Sequence, residues 1–191
     1  MRYRPEHKAQ VHERIVKDAS RRVRAEGLSG AAVAAVMLDT GLTHGGFYKH
    51  FESKDALLLE SLSEAFRDFG DTLANVAEQS NTKPGWKAVV KTYLSLEFCN
   101  HVERGCPLTA LAPELARADQ TMRMRVLPQL VAYKDRMLPF MPGRRAADKE
   151  RAFFSIFPTM IGAIEIARML PEPAMREKVL ASARDFLLRS F

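Results

Sequence analysis

Apolar residues return every three or four positions along almost the whole of this 191-residue chain, and nowhere do they alternate with polar ones. That spacing is the period of an α-helix, not of a half-buried strand. No alternating run of β-branched and aromatic residues and no Asn-Gly or Asp-Gly turn reads as a hairpin. The expected fold class is therefore all-α. Val11, Ile15, Ala19 and Val23 make one stripe of a first helix over 5–26, which Gly27 stops. A short second helix over 30–39 puts Val33, Val36 and Met37 on one face, and a third over 43–50 is anchored by Leu42, Phe47 and Phe51. Ser53 caps a long fourth helix over 54–79. Five more are expected: over 86–103, from near Pro107, over 120–140 with a kink at Pro128, over 145–170 and over 174–189. The total is nine.

Charge and cysteine content bound the function. A net charge of +6 permits a nucleic acid or an anionic surface as partner without demanding either. The charge is uneven. Residues 1–55 hold ten Lys/Arg against seven Asp/Glu and four of the five histidines, while 116–151 hold nine against four. Arg117, Arg123, Arg125, Arg144 and Arg145 in that second stretch read as a solvated face or as a site favouring an anion. Two cysteines, Cys99 and Cys106, make neither a disulfide framework nor a zinc cluster. The first ten residues lack the apolar core of a signal peptide, and no run of 18 apolar residues appears. A cytoplasmic setting without a membrane partner is expected. No His/Asp/Glu set has metal spacing, and no Ser/His/Asp set, phosphate loop or haem ligand pair is visible, so neither catalysis nor a cofactor is expected.

One stretch stands apart. Residues 41–54, "GLTHGGFYKHFESK", bring together three glycines, two histidines, a tyrosine and two lysines, with no acid from Thr40 to Phe51. Two short helices joined by a turn at Gly41 make a helix-turn-helix, whose second helix enters the DNA major groove by its N-terminal residues. The composition fits that use. Thr43 caps the second helix and offers a hydroxyl, and His44 projects from the first turn. Gly45 and Gly46 let the backbone approach, while Phe47 faces inward. Tyr48, Lys49 and His50 supply donors and positive charge for phosphates. Ser53 and Lys54 then make a capped, cationic helix start, a second phosphate clamp. The basic residues Arg2, Arg4, His7 and Lys8 form either an arm reaching DNA or a solvated tail.

Residues 5–60 resemble the DNA-binding domain of the TetR family of bacterial transcriptional regulators. The likeness rests on "GLTHGGFYKHFESKDALL", preceded by "VAAVM" and followed by a long helix. It implies an all-α homodimer that binds double-stranded operator DNA and a small-molecule effector. It also implies a DNA-binding domain over 1–52 and a helical ligand-binding and dimerisation domain over 53–191. Ala32 departs from the family pattern, because a hydroxyl is usual there. Ser29 is then the expected substitute cap, and Thr40 stands where a smaller residue is common.

In the second part Tyr93, Glu97, Phe98, Met122, Val126, Phe154, Phe157 and Met160 are candidate lining for an apolar effector pocket, with Thr109, Thr159 and Glu165 as further polar groups. Each is also an ordinary core residue by spacing. Cys106, near a predicted helix start where thiolates are favoured, is a candidate redox or electrophile sensor, or a small buried hydrophobe. The last two helices are the dimer candidates, with Gly162, Ala163 and Ala167 allowing close approach. The reading is a ligand-released repressor. Its rivals are an all-α enzyme, a lipid- or small-molecule-binding module without regulatory DNA binding, and a thiol-based sensor.

Overall fold

The stripe from Val11 to Val23 becomes helix α1, Pro5–Glu26. The computed structural model describes residues 5–81 and 83–191, apart from the side chains of Pro5 and His44. Ile15, Ala19 and Val23 are wholly buried, and the chain leaves α1 at Gly27 with φ 76°, a left-handed turn that favours glycine. A 3-10 turn, Leu28–Ala31, leads to α2, Val33–Asp39. Here the structure corrects the sequence reading. Ser29 does not cap α2. Its hydroxyl donates backward to the Glu26 carbonyl at 3.0 Å and so helps close α1. Ala32 stands at the cap with no side-chain oxygen to offer, and α2 begins at Val33 instead of at 30.

The third predicted helix, over 43–50, is a 3-10 helix, His44–Lys49. Gly45 and Gly46 weaken any α-helix, and the tighter coil serves in pieces this short. Next comes α3, Lys54–Glu78, started as expected by Ser53, whose Oγ accepts from the Ala56 amide at 3.1 Å.

The single helix predicted over 86–103 is divided into α4, Trp86–Tyr93, and α5, Leu96–Asn100, with a 3-10 turn Val102–Arg104 behind it. Ser95 makes the division: its hydroxyl donates to the Thr92 carbonyl at 2.8 Å and accepts from the Phe98 amide at 3.1 Å. A serine inside a helical pattern offers the backbone such an alternative. Then follow α6, Pro107–Arg117, α7, Gln120–Met137, α8, Ala146–Met169, and α9, Pro173–Ser190. Nine α-helices stand among the described residues, as expected in number, but the third has become a 3-10 helix and the fifth counts twice.

Two apolar cores result. Ile15, Val16, Ala19, Val36, Met37, Phe47, Phe51 and Leu57 make the small one. The large one holds Val23, Leu58, Phe69, Trp86, Tyr93, Leu111, Phe157 and Ile164. The adjoining residues Leu57 and Leu58 of α3 thus serve different cores. Beside the large core Arg24, almost wholly buried, meets Asp68 of α3 at 3.1 Å. Burial pulls the guanidinium pKa down, and Asp68 opposes it.

By length and composition α8 would suffice to cross a membrane, with mean hydropathy 1.3. One side of it, Ile156, Met160, Ile164 and Ala167, is buried in the large core, whereas Phe154, Ile166 and Met169 are exposed. Ala167 therefore belongs to the interior and not to the outward face on which the sequence reading put it.

Candidate DNA-binding surface

The 3-10 helix His44–Lys49 is held from behind. Gly41, with φ 70°, turns the chain after α2, and the Leu42 amide donates to the Met37 carbonyl at 2.8 Å. Thr40 is buried, and its hydroxyl lies 3.0 Å from the carbonyls of both Val36 and Met37, closing α2. From α1, Arg14 donates to the Thr40 carbonyl at 3.1 Å. Phe47 and Phe51 stack at 5.4 Å, and His12 of α1 stacks on Phe51 at 4.6 Å. Both phenylalanines are buried, so the opposite side of the segment must face outward.

That outward side carries Thr43, Gly45, Tyr48 and Lys49, all exposed, with Gly46 and His50 half-buried. Thr43 makes no capping hydrogen bond, contrary to expectation; its backbone carbonyl takes the Gly46 amide at 2.8 Å. Its hydroxyl is thus not spent on the helix start. Tyr48 is 69% exposed, its ring edge-on to Phe47. The side chain of His44 and residues Arg2 and Arg4 lie outside the described residues. Lys54 is exposed at the first position of α3, beside the Ser53 cap and next to an acid, Asp55.

Gly45 has no internal reason to be glycine. Its φ is not left-handed, and a Cβ built there meets nothing within 4 Å. At Gly46 the nearest neighbour of such a Cβ, the Met37 methyl, is 3.6 Å away, an ordinary contact.

Between α1 and this segment lies a concavity of about 340 Å³ lined by Lys8, Val11, Leu42, Thr43, Gly46, Lys49 and His50. Lys8 comes to it as part of a helix, not of an arm. The meeting of Lys8 with Lys49 and His50 is a fact of folding that no sequence spacing announces. Burial first, and then the positive charges of His12, Lys8 and Lys49, hold the His50 imidazole below its ordinary pKa of 6.5. Its Nδ1 is buried without a hydrogen-bond partner among the described residues. His12 meets Glu60 of α3 at 2.6 Å. A concave, cationic, acid-free lining of this kind is suited to phosphate oxygens.

The predicted effector lining is dispersed. Tyr93 and Phe98 pack together at 4.7 Å, while Phe157 meets Tyr133 at 5.4 Å. Met160 is buried, Met122 half-buried, and Val126 lines a groove between α6 and α7. Glu97 and Phe154 are exposed and face away from the interior. Of the further polar groups, Thr109 is buried and accepts from Arg168 at 2.9 Å, and Thr159 and Glu165 are half-buried. Tyr133 and Arg168 were not anticipated. The Tyr133 hydroxyl is buried without a hydrogen-bond partner among the described residues, and the buried Tyr93 hydroxyl lies beside the Cys106 thiol. Cys106 does precede α6, but it is buried, and burial raises its thiol pKa against the neighbouring Tyr93 hydroxyl and the Leu108 and Thr109 amides. The helix-start effect that motivated a reactive thiol is overridden here. Both cysteines are free.

Residues 15–61 match the model of the bacterial regulatory proteins, tetR family. The segment that holds the helix-turn-helix is thus similar to that of the TetR family. Over 86 residues it is 30% identical to the uncharacterized HTH-type transcriptional regulator YerO of Bacillus subtilis (strain 168), a match covering 45% of this chain and 29% of that one. Over 117 residues it is 26% identical to the HTH-type transcriptional repressor DhaR of Mycobacterium sp. (strain GP1), covering 61% and 58%. The matches thus span less than two thirds of either relative. In fold the chain is similar to a TetR-family transcriptional regulator from Cytophaga hutchinsonii, with TM-score 0.75 and 20% identity over 98% of this chain and 97% of that one.

Proposed function

We propose that this chain is a homodimeric TetR-family repressor, acting in the cytoplasm, that a small, mostly apolar molecule releases from a pseudo-palindromic operator. Residues 1–52 serve as the DNA-binding part and 53–191 as the part for ligand and dimer. The observation that carries the reading is the outward side of the segment His44–Lys49: acid-free, and bearing a glycine at 45 that nothing inside the protein requires. In this reading Thr43 and His44 meet base edges, Gly45 and Gly46 admit the DNA surface, and Tyr48, Lys49, His50 and Lys54 hold phosphates. Lys8 joins them.

The dimer is proposed through α8 and α9. Phe154 and Ile166 of α8 and Phe186 of α9 are 59%, 52% and 60% exposed, too much apolar surface for solvent. A Cβ at Gly162 would meet nothing within 4 Å in the single subunit, which leaves room for a second helix to approach. The repressor named in the Mycobacterium relative supports the sign of regulation.

The test is selection of bound duplexes from a random pool, followed by titration of the selected site at several salt concentrations. A palindromic consensus and an affinity falling steeply with salt are expected. A chain that shows neither is a small-molecule-binding module or an enzyme, and the regulator reading is lost.

A further inference from the structure

Helices α6 and α7 enclose an open groove of about 520 Å³. Its walls are apolar: Leu108, Ala112 and Leu115 from α6 face Met124, Leu127 and Leu130 from α7. Met124 and Leu127 are 59% and 45% exposed, so the lining stands open to water. The polar lining groups, Gln120 and Arg123, both come from the first turn of α7, at the corner where α6 passes into it.

That corner carries uncompensated charge. From 115 to 133 the chain has one acid, Asp119, against Arg117, Arg123 and Arg125. All three arginines are exposed, and none makes an ion pair with a carboxylate among the described residues. Asp119 is occupied as the cap of α7, accepting from the Met122 amide at 2.8 Å. The groove is thus apolar along its length and cationic at one end, and the wall from Leu108 to Ala116 runs about 12 Å at an α-helical rise, enough for a chain of about ten carbons.

We propose that the groove binds an amphipathic carboxylate, with its hydrocarbon between α6 and α7 and its carboxylate on Arg123. The volume falls within the range of small-molecule sites, and the few polar groups at one end fix orientation as such sites require. The guanidinium takes a carboxylate through paired N–H donors, which an alcohol of the same length cannot match. The proposal names the effector class of the regulator described above. The binding itself does not depend on that reading, because it is measured without DNA.

The full chain is titrated calorimetrically with decanoate and with decanol, each below the concentration at which it self-associates. Decanoate should bind about tenfold or more tightly than decanol, as expected for a charge-assisted contact. Arg123→Gln should remove that advantage and leave decanol unchanged. Leu127→Asn, at an exposed position of the groove wall, should weaken both. Equal binding of the two probes, decanoate affinity unchanged in Arg123→Gln, or no saturable binding below millimolar decanoate would each overturn the proposal. Operator release by decanoate is then measured separately. Its failure, with binding intact, would count against the regulatory reading alone.

Discussion

Replacing Gly45 by alanine should stabilise the protein and weaken its hold on DNA, two effects that rarely coincide. The first follows from the geometry. Gly45 lies in the 3-10 helix His44–Lys49 with a φ open to any residue, and its Cβ would stand in open space. Alanine there removes freedom from the unfolded chain without straining the folded one, a gain of about 0.4–1 kcal/mol. For a chain of this size that raises Tm by about 1–4 °C. The contrasting case is Gly30, where the same Cβ would lie 2.5 Å from the carbonyl oxygen of Arg22, inside backbone that must move. Gly30→Ala should therefore lower Tm.

The second effect depends on what covers Gly45. If its backbone lies against the floor of the major groove, an added methyl overpacks that contact by about 1–3 kcal/mol, or roughly 5- to 150-fold in affinity for each half-site. The two variants are to be compared with the parent by thermal melting and by operator titration at one salt concentration. A Gly45→Ala protein that melts lower than the parent refutes the claim that the fold has no use for this glycine. One that melts higher and binds the operator as well as the parent refutes the claim that DNA has.

Other expectations follow from the same surface and body. Lys54→Gln should weaken all duplexes alike and reduce the slope of log affinity against log salt by about one. His50, held below 6.5 in the free protein, should gain a proton when a phosphate enters the concavity. Affinity should then rise as pH falls toward and below 6.5, whereas the stability of the free protein, which favours neutral His50, should fall over the same range; His50→Gln removes both trends. Phe186→Asp on α9 should give a monomer by sedimentation and abolish operator binding. Glu114→Ala should cost about 1–2 kcal/mol in urea unfolding, because the Glu114 carboxylate accepts from the Leu28 amide at 3.1 and 3.3 Å.

What the sequence disclosed was whatever is local. The ends of α1 and the start of α3 are written in Gly27 and Ser53, because a left-handed stop and a hydroxyl cap act within a turn of where they stand. The helix-turn-helix is legible for the same reason, and so is the inward placing of Phe47. Errors arose where one residue had two local uses. Ser29 and Ser95 both offer a hydroxyl to either neighbouring helix, and periodicity alone cannot choose; Ser29 turned back to Glu26, and Ser95 served both sides. Burial was the harder matter. Cys106 begins a helix, yet the large core closes over it and reverses the direction of its pKa. Glu97 and Phe154 share the helical spacing of their neighbours but fall on exposed faces, since α4 and α5 break apart at Ser95 and α8 has apolar residues on both sides.

The proposed boundary of roles between 52 and 53 does not divide the structure. α3 runs unbroken from Lys54 to Glu78, and its Leu57 closes the small core while its Leu58 enters the large one. α1 likewise gives Ile15 and Ala19 to one core and Val23 to the other. Below the small core the two parts are tied by Arg24 to Asp68 and by Glu114 of α6 to the Leu28 amide. Gly27 must be glycine for that last tie as well as for its φ, because a Cβ there would overlap the Glu114 carboxylate. Such joints transmit displacement and do not absorb it, since packed cores resist continuous deformation. A ligand lodged between α6 and α7 would bear on the helix that carries Glu114. Any shift of α6 along its axis must then either break the bond to Leu28 or carry the base of α1 with it. The second course tilts the whole three-helix unit, and with it the segment His44–Lys49, without unfolding any part of the surface proposed to meet DNA. Under the proposed dimeric repressor, regulation is for that reason a matter of where two rigid surfaces point, with the affinity of each for a single half-site left intact.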